Sequence, residues 1–283
     1  VRASEVRGVG FLTGSSVRLR FLPAPPSSGV VFVRADLPGR PAVAAHVRQV
    51  TGTQRRTTLG RPPVQVSLVE HVLSALAGMR IDNCVVELDA PEPPGLDGSA
   101  LGFVEALLGS GAVTQPARRT AWCVRAPVTV RAGGATLTLH PPAPGEAGLC
   151  LTYFLDYGPQ APLARQVHTQ RLAPGGFRTE LAGCRTFLLE AEAAELRRQG
   201  LGARTTTADL LVFGPRGPIG NALRFANEPA RHKVLDLVGD LSLLGADLCG
   251  HVVAYRSGHP LNVELARTLH EAVCTTEAPR VAA

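Results

Sequence analysis

At 283 residues, 45% of them hydrophobic and 18% charged, the chain has room for one large globular domain or two of roughly 100–150 residues. No run approaches the roughly 20 apolar residues a bilayer span needs, and the start, VRASEVRGVGFLTG, holds no apolar run of the secretory-signal type. The net charge of +6 comes from scattered arginines rather than a basic run interleaved with aromatics, so no nucleic-acid partner is expected.

Two alternating strands separated by a Pro/Ser/Gly turn open the chain in SSVRLRFLPAPPSSGVVFV. A helix pattern and a strand follow in SLVEHVLSALAGMRIDNCVVELDA (67–90). The charged, proline-containing segment TQPARRT (114–120) reads as a linker. From Gly134, GATLTLHPPAPGEAGLCLTYFLD repeats the paired strands. The segment 187–202 is predicted as a helix ending at Gly200, and TTTADLLVF after it as a strand. PARHKVLDLVGDLSLLGADLCGHVVAYRS (229–257) repeats helix then strand, and the two copies of the helix are predicted to cap at Gly78 and Gly245.

The pattern reads as a duplication of the α+β class: two homologous layered domains, 1–117 and 118–272, with a frayed tail over 273–283. Cys84, Cys123, Cys150, Cys184, Cys249 and Cys274 form no CxxC pair and mostly sit in apolar strand-like contexts. Buried free thiols in a reducing compartment, hence a cytoplasmic protein, are expected.

In the later helix, His232, Asp236 and Asp240 follow one another at i, i+4 and i+8, so they share one stripe, with Lys233 at its edge. Carboxylates beside so many leucines cost several kcal/mol each unless paired or coordinated, so a cation is expected against the stripe. Zn²⁺ suits imidazole and carboxylate donors. The plainer reading is a wetted seam with Asp236 paired to Lys233. In the earlier helix Ser67 and Glu70 match a capping box, which would leave Glu70 a structural role and His71 a core-edge one. An adjacent Glu-His pair also suits a base beside a metal ligand. HExxH is absent, which disfavours the common zinc-protease class. Two His and one Asp from two helices would be three protein ligands with an open fourth position, a catalytic count, in a cleft between the two copies.

VEHVLSALAGMRIDN, APEPPGLDGSA, CRTF, LRFANEPARHKVLDLVGDLSLLG and AYRSGHPLN together resemble the UDP-3-O-acyl-N-acetylglucosamine deacetylase family, in that family's order, from residue 8 to about 271. The resemblance implies zinc-dependent hydrolysis of the acetamide of a UDP-linked acylated glucosamine, releasing acetate, the committed step of lipid A synthesis. It implies zinc held by His71, His232 and Asp236, and Glu70 as general base toward a zinc-held water. His259 would be the acid or oxyanion stabiliser, oriented by Asp240. Thr186 would give a hydroxyl to the oxyanion, Lys233 would lie near polar groups of the substrate, and Phe187 would line the sugar or acyl region. The implied fold has two sheet-and-helix domains with the active site at their interface. A monomer, with at most transient contact with a membrane surface, is expected.

Phe11-Leu12 replaces a family Leu-His, and Arg204-Thr205-Thr206 stands where a Gly-Gly-Ser stretch is frequent. The rival readings are a zinc amidohydrolase on another N-acyl sugar and an inactive nucleotide-sugar- or lipid-binding homologue. A GHMP-kinase-like phosphotransferase is disfavoured, because no GxxxxGK[ST] occurs and APEPPGLDGSA has prolines where a phosphate cradle needs N–H groups.

Overall fold

The computed structural model describes residues 2–275. Strands β1 (Ser4–Val9), β2 (Ser16–Pro23), β3 (Val30–Arg34) and β4 (Ala42–Ala44) come first. A small meander of β5 (Val50–Gly52), β6 (Thr58–Leu59) and β7 (Val66–Ser67) leads into helix α1 (Glu70–Gly78), strand β8 (Cys84–Leu88) and helix α2 (Leu101–Ser110). After residues 111–120 come β9 (Ala121–Cys123), β10 (Val128–Ala132), β11 (Ala135–His140), β12 (Leu149–Leu155) and β13 (Gln166–Arg171). A short α3 (Pro174–Gly176) runs into a π-helical turn, Phe177–Leu181. Strand β14 (Phe187–Leu189), helix α4 (Glu190–Arg198) and strands β15 (Leu211–Gly214) and β16 (Gly217–Pro218) follow. Helix α5 (Glu228–Ser242), strand β17 (Asp247–Tyr255) and helix α6 (His259–Thr275) close the described chain.

The mixed α+β class is as expected, and the repeat extends to topology. The first large sheet has the order β1-β2-β8-β3-β4 and the second β10-β11-β17-β12-β13, with β9 beside β17. In both, the strand after the repeated helix is central, antiparallel to one neighbour (β2 or β11) and parallel to the other (β3 or β12). The strands of each sequence pair are therefore not hairpin partners. Between them runs a strand that arrives much later in the chain, CVVEL in the first sheet and DLCGHVVAY in the second, each hydrogen-bonded on both sides.

Alternation sets the faces: Val17, Leu19 and Phe21 of β2 point inward, and Arg18 and Arg20 outward. Phe21 meets Phe103 of α2 edge-on. Helices α1 and α5 pack against each other, α5 lies over β12 and β13, and α6 over β10 and β11. The apolar cluster runs without a break from Leu19 and Phe32 through α1 and α5 to Leu151 and Val252. Among the described residues no helix is long and apolar enough to cross a membrane.

Several local expectations are corrected. Ser67 does not cap α1: it ends β7 with its hydroxyl on Thr58, Leu68 turns the chain at φ 57°, and the cap residue is Val69. Gly78 lies inside α1, where the Phe177 ring leaves no room for a Cβ, and the left-handed residue that turns the chain is Arg80. Gly245 does take φ 69°, as expected of a helix-ending glycine. The predicted helix over 187–202 starts at Glu190, because 187–189 pair with β15. The predicted strand over 205–213 starts at Leu211, since Asp209 accepts the N–H and O–H of Thr206 and bends the preceding loop. Cys84 and Cys184 are buried free thiols, but Cys123, Cys150 and Cys249 are only half-buried. Of the expected tail, 276–283 lie outside the described residues.

Candidate active site

Where α1 crosses α5 the backbones nearly touch: a Cβ on Gly239 would lie 2.2 Å from the carbonyl oxygen of Glu70. The Ser74 hydroxyl donates to the Leu235 carbonyl across the same crossing, at 2.9 Å. This contact brings the first turn of α1 onto the polar stripe of α5.

His71 of α1 and His232 and Asp236 of α5 each offer a ligand atom, all within 4.8 Å of one another. Asp236 Oδ1 is 3.3 Å from His232 Nε2 and 3.7 Å from His71 Nε2, and it is buried with no hydrogen-bond partner. The two imidazole rings stand edge to face, 5.0 Å apart. His232 Nδ1 lies 3.0 Å from the Cys184 carbonyl, which can only accept, so Nδ1 carries a proton and Nε2 is the nitrogen that faces the cluster. The other Asp236 oxygen accepts from Lys233 Nζ at 2.9 Å. The stripe is therefore no wetted seam: His232, Asp236 and Asp240 are all at most 2% exposed.

Two proton-handling groups stand beside this cluster. Asp240 Oδ2 accepts from His259 Nδ1 at 2.8 Å, and His259 Nε2 points to within 3.8 Å of Glu70 Oε1 and 3.9 Å of Asp236 Oδ2. His259 is the first residue of α6 rather than a residue of a free turn. Burial pushes the Glu70 carboxyl up to about 7, against the pull of His259. Burial alone would lower His259, but the Asp240 and Glu70 carboxylates outweigh it and raise the imidazole to about 9. Burial, helped by His232, pushes His71 down to about 3, so its ring is neutral at physiological pH. Burial opposes ionisation of Asp236, yet His232 and Lys233 hold its carboxyl well below the usual range.

These groups open into a cavity of about 610 Å³ lined by Glu70, His71, Thr186, Phe187, Lys233, Asp236 and His259, with His232 and Asp240 one layer behind. The structure thus gathers all nine sequence-predicted residues. Phe187 packs edge-on against His232, and Lys233 Nζ lies 5.4 Å from the Phe187 ring centre. One wall is apolar, formed by Leu188, Leu196, Leu201, Leu210 and Val212. Elsewhere Arg55, Arg56, Arg197 and Arg256 reach it, and Arg55 pairs with Glu192 of α4 at 3.2 Å. The two departures noted above meet here: Phe11, Leu12, Thr205 and Thr206 line the cavity, and Arg204 donates to the Gly14 carbonyl at 2.9 Å. Glu92 fixes the first loop by accepting from the Leu12 and Thr13 amides.

Sequence reasoning missed Thr57 and Asn262. The Thr57 amide donates to Glu70 Oε2 at 3.0 Å and its hydroxyl to Asp240 Oδ1 at 2.6 Å, while Asn262 donates to Asp240 Oδ2 at 2.9 Å. Thr57 carries no sequence signal, but Asn262, three residues after His259 on the helix that His259 opens, could have been found from that i+3 spacing.

The profile of the UDP-3-O-acyl N-acetylglycosamine deacetylase family matches residues 1–271. A UDP-3-O-acyl-N-acetylglucosamine deacetylase of Thermosynechococcus vestitus is 41% identical over 262 residues, covering 93% of this chain and 90% of the relative. Its counterpart in Trichormus variabilis is 39% identical, over 93% of this chain and 94% of the relative. One from Bdellovibrio bacteriovorus is 36% identical, over 95% and 87%.

Proposed function

The chain belongs to the UDP-3-O-acyl N-acetylglycosamine deacetylase family, and from that premise we propose that it hydrolyses the acetamide of UDP-3-O-acyl-N-acetylglucosamine to release acetate, in lipid A synthesis. The observation that carries the reading is the cluster of His71, His232 and Asp236, with one buried carboxylate oxygen left without a donor. Such an oxygen is costly unless a cation meets it. Its companions are a neutral imidazole and an imidazole whose other nitrogen is already engaged, which is the donor set zinc prefers. These three residues would hold the zinc. A zinc ion there supplies a Lewis acid that polarises the amide and makes water nucleophilic near neutral pH.

The chain's own groups do the rest. Glu70, poised near neutrality, takes the proton of the attacking water at Oε1, since Oε2 is held by the Thr57 amide. His259 keeps its proton on Nε2, facing the reacting centre, and gives positive charge to the developing oxyanion and a proton to the leaving amine. Asp240 fixes its orientation from behind. Thr186 adds a hydroxyl to the oxyanion, and Lys233, anchored by Asp236, faces the polar groups of the substrate. Phe187 and the leucine-rich wall suit the acyl chain, and the arginines suit the diphosphate. The segment 114–120 is the joint between the two copies. All of these groups come from one chain, so a monomer suffices.

Metal analysis combined with acetate release from UDP-3-O-acyl-GlcNAc tests the proposal. About one zinc per chain is expected by the three-ligand count, with turnover lost on chelation and recovered on reloading. Turnover of simple N-acetyl sugars but not of the acylated UDP substrate would point to another N-acyl sugar. Metal without turnover of either would indicate a binding homologue.

A further inference from the structure

Thr57 lies in the short loop between β5 and β6, in the first half of the chain, and is wholly buried. It makes three distinct backbone and side-chain contacts at the site. Its carbonyl accepts from Val69, the cap residue of α1, at 3.4 Å. Its amide donates to Glu70 Oε2 at 3.0 Å. Its hydroxyl donates to Asp240 Oδ1 at 2.6 Å, across 183 positions of sequence, and also lies 3.4 Å from His259 Nδ1.

The hydroxyl has one proton to give. Nδ1 of His259 donates its own proton to Asp240 Oδ2, so the only acceptor left to Thr57 is Asp240 Oδ1, and the shorter distance agrees. Asp240 then has Thr57 on one oxygen and His259 and Asn262 on the other. A carboxylate tied on one oxygen alone could rotate about its Cβ–Cγ bond, and His259 would turn with it. With both oxygens tied it is a fixed acceptor, and the direction of His259 Nε2 is fixed with it.

We infer that Thr57 is a positioning residue for the reaction: its hydroxyl locks the Asp240 carboxylate that aims His259, while its amide leaves only Glu70 Oε1 free to face the same point. The loop thereby sets the base and the acid, which stand on different helices, in one frame. The inference rests on the hydrolytic reading above.

Thr57→Val removes the O–H at nearly constant volume and leaves the amide bond to Glu70 in place, while Thr57→Ser keeps the hydroxyl. In the zinc-loaded protein, Thr57→Val is expected to lower kcat about 10–100-fold, the usual cost of losing an orienting partner, with KM within about twofold. Thr57→Ser should recover kcat to within about threefold, and zinc content should be the same in all three. The ring N–H proton of His259, observed by NMR in histidine-labelled protein and assigned by its loss in His259→Gln, should shift in Thr57→Val and return in Thr57→Ser.

Parental kcat in Thr57→Val, or a Thr57→Ser variant as slow as Thr57→Val, overturns the inference. If Thr57→Val fails to fold, judged by its melting curve, Thr57→Ala decides in its place, with the same expected loss and the same contrary result. Glu70→Gln and His259→Gln separate the two levels. If both keep parental kcat, the hydrolytic reading falls and takes this inference with it. If both collapse while the Thr57 variants do not, only the role of Thr57 falls.

Discussion

The two copies of the sheet-and-helix plan share the order of five strands in their large sheets, β9 being an addition to the second, yet their central helices contribute very differently to the site. Helix α1 has nine residues and offers only its first turn, Glu70 and His71. Helix α5 has fifteen and offers a stripe along its length, His232, Asp236 and Asp240. Adjacent residues on a helix point about 100° apart, so Glu70 and His71 reach different parts of the site, one toward His259 and the other toward Asp236. Residues four apart point the same way, so α5 can line up a ligand, a second ligand and an orienting carboxylate. Duplication supplied two equivalent helices. The proposed chemistry requires that they no longer be equivalent, since neither copy alone would supply a base, three ligands and an acid.

That division can be tested from either side. His71→Ala and His232→Ala should each abolish acetate release, although one lies in each copy. Turnover surviving in His71→Ala would leave α5 sufficient by itself. Glu70→Gln should lower kcat about 10²–10⁴-fold with zinc retained, the range typical of losing a general base. Loss of metal in that variant would make Glu70 a ligand instead.

The pH profile reads both copies at once. On the proposed mechanism turnover needs Glu70 ionised and His259 protonated, so kcat should rise through a limb that starts from about 7 and fall through one that starts from about 9. A bound divalent charge moves both limbs downward. His259→Gln should remove the alkaline limb and leave the acid one. An unchanged alkaline limb would assign it to another group.

Gly239→Ala probes the crossing itself. A methyl group 2.2 Å from the Glu70 carbonyl oxygen must push α1 off α5, at a cost of about 1–3 kcal/mol or more, seen as a lower melting temperature together with weaker zinc binding. At the small end, Arg55→Ala breaks a half-exposed pair with Glu192 and should change stability by less than about 1 kcal/mol.

Much of this site is legible in the sequence because helical periodicity is local. The spacing of His232, Asp236 and Asp240 fixes a shared face before any partner is known, and leucines on every other side mark that face as buried. What was not legible depends on the chain turning between elements. The capping-box pattern of Ser67 and Glu70 misleads because Leu68 takes a positive φ, which leaves Ser67 in a strand and Glu70 free for the site. Thr57 leaves no trace, since a threonine in a short loop looks alike whether it meets water or an aspartate 183 positions away. The late start of α4 likewise follows from a pairing with β15 that the local composition does not record.

The central claim is that one ion joins α1 to α5. X-ray absorption at the zinc edge of the loaded protein tests it most directly, read against His71→Ala. The account predicts about one ion per chain in a shell of nitrogen and oxygen donors, with one fewer imidazole or no bound zinc in the variant. A sulfur-dominated shell, or a spectrum unchanged by His71→Ala, would contradict it.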